Sequence, residues 1–183
     1  MTKSIDFYFD FISPYSFLAY KKLKTLYKNN EIRINYKPIL LGGLHNLGGI
    51  TAPAFNILKM KNMKNDCKLI ANKNKIEFKW NDNFPVNSLY IMRGYLIIDN
   101  KLKKKYFEVC FDYYWKENIN ISEEKNIDKL LRTCSINKED FVKKINDLKT
   151  KDELKHLTNL AFEKKYFWST NICSQQQNFL GTR

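Results

Sequence analysis

The opening forty residues constrain the fold more than any other part of the chain. Residues 4–11, SIDFYFDF, alternate polar and aromatic side chains, the period-two pattern of a strand. Ser13 then stands where an N-cap belongs and Pro14 at the first helical position. Phe17, Leu18, Leu23 and Leu26 give a following helix an apolar face that runs out near Lys28, Asn29 and Asn30. Residues 31–39, EIRINYKPI, alternate again, with Pro38 near the end. Strand, helix and strand in this order are satisfied most economically by two parallel strands joined through a crossover helix.

The next stretch, LLGGLHNLGG at 40–49, lacks both the GxGxxG spacing and the GK-S/T ending of phosphate-binding loops, so it reads as a plain connection. From Pro53 onward the periodicity is helical, predicting helices over about 53–75, 87–98, 100–116, 123–135, 138–147 and 150–166. NISEEK and SINKED place Ser or Asn before acidic first turns, as helix starts do. The expected organisation is an N-terminal β-α-β part over 1–42, a helical insertion over 43–150, a helix returning to the first part over 151–167, and a tail over 168–183.

A chain of 183 residues with 44% hydrophobic composition is the size of one domain with an inserted subdomain. Its apolar stretches are short and interrupted by Lys and Asn, and MTKSIDFYFD lacks the apolar middle of a signal peptide. The expectation is a cytoplasmic protein without a membrane partner. The net charge of +13 raises nucleic acid as a partner, since clustered cations release counterions from phosphates. Only Arg33, Arg93, Arg132 and Arg183 carry the fork best suited to bidentate phosphate contacts, however. Abundant Lys, Asn and Ile together are what AT-rich coding produces, and KLKKKY at 101–106 reads as a solvated helix start, so no nucleic-acid partner is expected. Cys67, Cys110, Cys134 and Cys173 are scattered, without CxxC or ligand spacing to His, and neither a metal site nor a disulfide framework is expected.

Ser13 followed by Pro14 after a strand is first of all a helix-start signal. The same geometry also serves chemistry, because a helix N-terminus offers N–H groups and a positive dipole end that favour a thiolate, and a hydroxyl there can donate to the sulfur.

DFYFDFISPYSFLAY resembles the start of the 2-hydroxychromene-2-carboxylate isomerase and kappa-class glutathione transferase family, relatives of DsbA. KPILLGG (37–43), FPVNSLYIMRGYL (84–96), YYWKENINIS (113–122) and FEKKYF (162–167) agree with it in order, so the resemblance runs from about residue 4 to 167. It implies an α/β fold, thioredoxin-like, with a large all-helical insertion. Ser13 and Ser16 then fall where thioredoxins carry the two cysteines, which argues against disulfide exchange. The resemblance implies glutathione as cofactor and Ser13 as the catalytic residue, holding the glutathione sulfur as thiolate. An unactivated hydroxyl is a poor nucleophile, so the thiolate is the better attacking group. In an isomerase it would add reversibly to a conjugated aromatic-pyruvate substrate; in a transferase it would displace a leaving group from an electrophile. Ser13 alone leaves both readings open, and a homodimer is an allowed assembly.

Further cofactor contacts carried over are Tyr15, Asn46 and Asn87. In related proteins the Gly-rich connection carries a Lys and then an Asn, whose nearest matches here are Asn46 and Ile50. That substitution removes one cation and one amide. Asn87 also reads as an N-cap of the helix at 87–98, and Tyr15 as packing beside a core strand.

After FEKKYF the family continues with a G-V/L-P-T motif, a β-hairpin and a last helix, whereas this chain reads WSTNICSQQQNFLGTR. For one choice of synonymous codons, removing a single base at Trp168 turns the tail into GLPTFVVNNKIFWGQ followed by Asp or Glu. The expectation is therefore an out-of-frame tail, a missing hairpin and last helix, an unpaired sheet edge, and weakened glutathione binding.

Overall fold

The computed structural model describes residues 3–26, 32–164, 172–174 and 177–179. Strand β1 (Lys3–Phe9) leads into helix α1 (Pro14–Leu26) and then strand β2 (Ile32–Pro38). The two strands are parallel, in register from Lys3 opposite Ile32 to Phe9 opposite Pro38, as the opening pattern requires. Helix α2 (Leu41–Leu47), a 3-10 turn (Pro53–Phe55) and helix α3 (Ile57–Lys73) follow. Helices α4 (Leu89–Ile97), α5 (Asn100–Trp115), α6 (Glu124–Thr133), α7 (Lys138–Asn146) and α8 (Leu148–Glu163) complete the helical block. Side-chain caps explain several of these starts. Asn56 accepts from Lys59 N, Asp99 from Lys101 N, Asn137 from Asp140 N and Asp147 from Lys149 N, each satisfying an otherwise orphaned first-turn donor.

The sheet has the order β2-β1-β3-β4, with β3 (Ile172–Ser174) and β4 (Gln177–Phe179) antiparallel to their neighbours. This corrects the expectation of a missing hairpin and an unpaired edge. Ile5, Asp6 and Phe7 of β1 pair with Ser174, Cys173 and Ile172, because backbone N–H and C=O groups at a sheet edge accept any extended segment in reach, whatever its side chains. The expected absence of a last helix falls on residues 180–183, outside the described residues, as do the end of the first helix at Lys28–Asn30 and all side chains of the tail.

The Gly-rich connection is also corrected, since Leu41–Leu47 forms a helix. Two contacts beyond local sequence stabilise it: Leu41 N donates to the Asp10 carboxylate at 2.8 Å, and Leu44 is buried. Gly43 faces α8, where a Cβ would make an ordinary contact of 3.5 Å with the Thr158 methyl.

Side chains cover the sheet on two faces. On one, Phe7, Phe9 and Phe11 pack with Tyr20 of α1, Tyr95 of α4 and Phe107 and Phe111 of α5, with Phe9 and Phe107 ring centres 4.8 Å apart. On the other, Tyr8, Ile39, Leu44 and Ala161 form a smaller cluster between strands and α2 and α8. Within the helical block, a Cβ on Gly94 would collide with the Tyr106 hydroxyl and lie 2.6 Å from the Phe141 ring, so α4 passes these rings only as glycine. Among the described residues no helix is long and apolar enough to cross a membrane.

Candidate active site

The end of β1 turns into α1 through Asp10, Phe11, Ile12 and Ser13, and the polar groups of this turn are held from several sides. Ser13 N donates to Asp10 O at 2.9 Å, closing the turn. Phe11 O accepts from the Trp115 indole at 2.9 Å, and Phe11 N faces the Met92 sulfur at 3.5 Å. Ser13 caps α1 as its sequence implies: its hydroxyl oxygen accepts from Ser16 N at 3.2 Å and its carbonyl from Phe17 N at 3.2 Å. Ser13 is 1% exposed, so a ligand sulfur reaches its hydroxyl only once the covering groups have moved.

Asp10 is the residue that local reading missed. It is completely buried and accepts three hydrogen bonds: Ile12 N on Oδ1 at 3.2 Å, Leu41 N on Oδ2 at 2.8 Å and the Ser88 hydroxyl on Oδ2 at 3.1 Å. Burial drives its pKa up to about 6 while these three donors oppose the rise. Strand alternation puts Asp10 in phase with Asp6 and Tyr8 and suggests a solvated face. The available signal was its position between Phe9 and Phe11, in a run otherwise aromatic.

The remaining candidates separate. Asn87 is exposed and its Oδ1 accepts from Leu89 N at 2.9 Å, ordering the start of α4; Ser88 beside it joins Asp10. Asn46 is exposed and lies five residues along α2 from Leu41, about 7.5 Å of helix. Ile50 is 45% exposed just beyond. Tyr15 is turned to α3, where its hydroxyl donates to Asp66 at 2.8 Å; burial, the neighbouring Cys67 and this bond all raise its pKa. Thus Asp10 brings Ser13, the start of α2 and the Asn87–Ser88 corner together, and Tyr15 is engaged with α3.

None of the described thiols is poised to act as a nucleophile. Burial pushes Cys67 up to about 12 and Cys134 to about 11, and Cys110 well above its ordinary value. Burial also lowers the pKa of His45 on α2. Among the described residues no cluster of His, Cys, Asp and Glu is arranged to hold a metal ion. What the site offers is a serine hydroxyl at the positive end of a thirteen-residue helix.

Residues 4–167 match the family of DSBA-like thioredoxin domains, and the chain belongs to that family. It is 59% identical over 39 residues to 2-hydroxychromene-2-carboxylate isomerase of Sphingobium xenophagum, a match spanning 21% of this chain and 20% of that protein. It is 27% identical over 159 residues to glutathione S-transferase kappa 1 of Caenorhabditis elegans, covering 79% of this chain and 69% of that protein. A solved structure of 2-hydroxychromene-2-carboxylate isomerase superimposes with a TM-score of 0.83 at 23% identity, covering 97% of this chain and 88% of that one. A probable DsbA oxidoreductase from Streptomyces coelicolor superimposes at 0.72 with 8% identity, covering 98% of this chain and 83% of that one. At these identities the structural matches speak for the thioredoxin-like fold.

Proposed function

We propose that the chain is a glutathione-dependent isomerase of the 2-hydroxychromene-2-carboxylate isomerase type, with Ser13 as its catalytic residue. The observation that supports this most is the place of Ser13 at the head of α1, where a redox cysteine would stand in a disulfide-exchanging relative. The Ser13 oxygen accepts the Ser16 N–H, and a serine hydroxyl can donate to a sulfur while its oxygen accepts. The helix dipole adds positive potential at the same point, so both features favour the ionised sulfur over the thiol. When bound, glutathione supplies a thiolate that adds reversibly to a conjugated aromatic-pyruvate substrate. In this reading the exposed amides of Asn46 and Asn87 hold polar ends of the ligands, and Tyr15 acts through its bond to Asp66, fixing α1 against α3.

Glutathione-dependent isomerisation of 2-hydroxychromene-2-carboxylate, followed spectrophotometrically, tests the reading. Ser13→Ala is expected to lower kcat/KM by about 10²-fold, the scale of removing one preorganised donor to a developing or resident anion. Unchanged turnover in Ser13→Ala sinks the role of Ser13. A second reading, transfer of glutathione to an electrophile, is favoured by the greater share of the chain aligned with the kappa transferase. Conjugation of an aryl chloride without isomerisation would select it.

Residues 168–183 are proposed to derive from a shifted reading frame, leaving an inactive remnant of either enzyme as the alternative for this literal chain. A T run at codon 167 and a downstream frame encoding GLPTF are expected in the gene; absence of either ends that idea.

A further inference from the structure

We propose that Asp10 is the positioning residue of the candidate site: its carboxylate holds the Ser13 turn, the start of α2 and the Ser88 corner in register, and its hydrogen bonds to them are redistributed when it takes up a proton. The role in catalysis rests on the reading of Ser13 given above; the mechanical coupling does not.

The geometry carries the argument. Every hydrogen-bond partner given for the Asp10 carboxylate donates to it, and two are backbone N–H groups on different oxygens, Ile12 on Oδ1 and Leu41 on Oδ2. Ser88 can turn its hydroxyl around and accept, but a backbone N–H cannot. A neutral carboxyl therefore offers one of these two fixed donors a poorer acceptor, whichever oxygen carries the proton. If Oδ1 is protonated, the Ile12 bond and the turn before Ser13 weaken. If Oδ2 is protonated, its O–H can turn to Ser88, and the Leu41 bond to what is then a hydroxyl oxygen weakens. Of the titratable groups on neighbouring elements, Tyr114 on α5 feels the charge of Asp10, and His45 lies on α2, the helix whose first N–H Asp10 accepts. Burial raises the Tyr114 hydroxyl and the charge of Asp10 raises it further, while burial lowers His45. Proton uptake by Asp10 itself falls near pH 6, within reach of mild acidification.

Amide chemical shifts of the wild-type chain, followed by NMR from pH 7.5 to 4.5, test the coupling without any substrate. Ile12 and Leu41 amides are expected to titrate together with a midpoint near pH 6. The shared titration should vanish in Asp10→Asn, and its midpoint should rise in Ser88→Ala, which removes one donor to the ionised form. Should Asp10→Asn fail to fold, the wild-type and Ser88→Ala titrations still decide the matter. Independent midpoints for Ile12 and Leu41, or a Ser88→Ala midpoint that stays put, overturn the proposal. In kinetics, the acid limb of kcat/KM should share the NMR midpoint, and Asp10→Asn should lower kcat/KM at least tenfold while flattening that limb. Shared titration without any glutathione-dependent turnover removes the proposed function and leaves the coupling standing. Turnover without shared titration does the reverse.

Discussion

The two faces of the sheet are stabilised by different means. On the aromatic face, Phe7, Phe9 and Phe11 meet rings from three helices, and the turn before Ser13 is fixed there by the Trp115 indole. On the other face the buried cluster among the described residues is Tyr8, Ile39, Leu44 and Ala161, with Phe162 partly buried against it. That face relies on side chains that satisfy backbone donors across elements. Asp10 accepts from Leu41 N, and Thr158 of α8 accepts from Leu40 N at 3.0 Å. A thick apolar layer tolerates no loss of volume, whereas a thin layer depends on polar groups whose partners must stay present and correctly protonated.

Truncations should expose this difference first. Phe111→Ala, at a ring packed 4.9 Å from Phe107 and 5.1 Å from Phe11, is expected to cost about 3–5 kcal/mol. Leu44→Ala on the thin face should cost about 2–3 kcal/mol. Urea denaturation of both variants measures the gap, and equal losses would remove the contrast.

The pH dependence sharpens it. Because the folded pKa of Asp10 is raised from 3.8 to about 6, the fold binds this proton more tightly than the unfolded chain does between those values. The favourable contribution is therefore fully present below pH 4 and is lost as pH rises through 6. The difference corresponds to about 3 kcal/mol in total. The stability of wild type relative to Asp10→Asn should fall across that interval in urea melts, and a flat difference would contradict the burial that raises the Asp10 pKa against its three donors.

The smallest effect should come from Thr158→Val. It keeps the methyl beside Gly43 but leaves Leu40 N without its acceptor, for about 1–2 kcal/mol. Hydrogen exchange should show the loss as faster opening around Leu40 and α2, with α5 unaffected. Uniform acceleration across both would mean that the two faces unfold as one.

Much of this architecture was legible in the chain. The six helices expected after Pro53 are found as α3 to α8, with Pro53–Phe55 as a separate 3-10 turn ahead of α3. Ser13 could be recognised as a cap because its partners are Ser16 and Phe17, within one turn. Asp10 and α2 were not legible, and for a shared reason. The residue that caps the first N–H of α2 lies 31 positions away, just past the end of β1, so neither the Gly-rich stretch nor the aromatic run contains both halves of the interaction. Tyr15 likewise takes its partner 51 positions on, from α3.

The sequence by itself determined the opening strand-helix-strand unit, the six helices after Pro53 and the parallel sense of the first two strands. Periodicity and capping are properties of neighbours along the chain. Only the tertiary structure decided that β1 is covered on both faces and paired on both edges. Alternation cannot distinguish a second buried face from solvent, and the tail joins β1 through backbone groups that every sequence carries. From that position Asp10 follows: a carboxylate inside the fold, held by donors from three segments around Ser13.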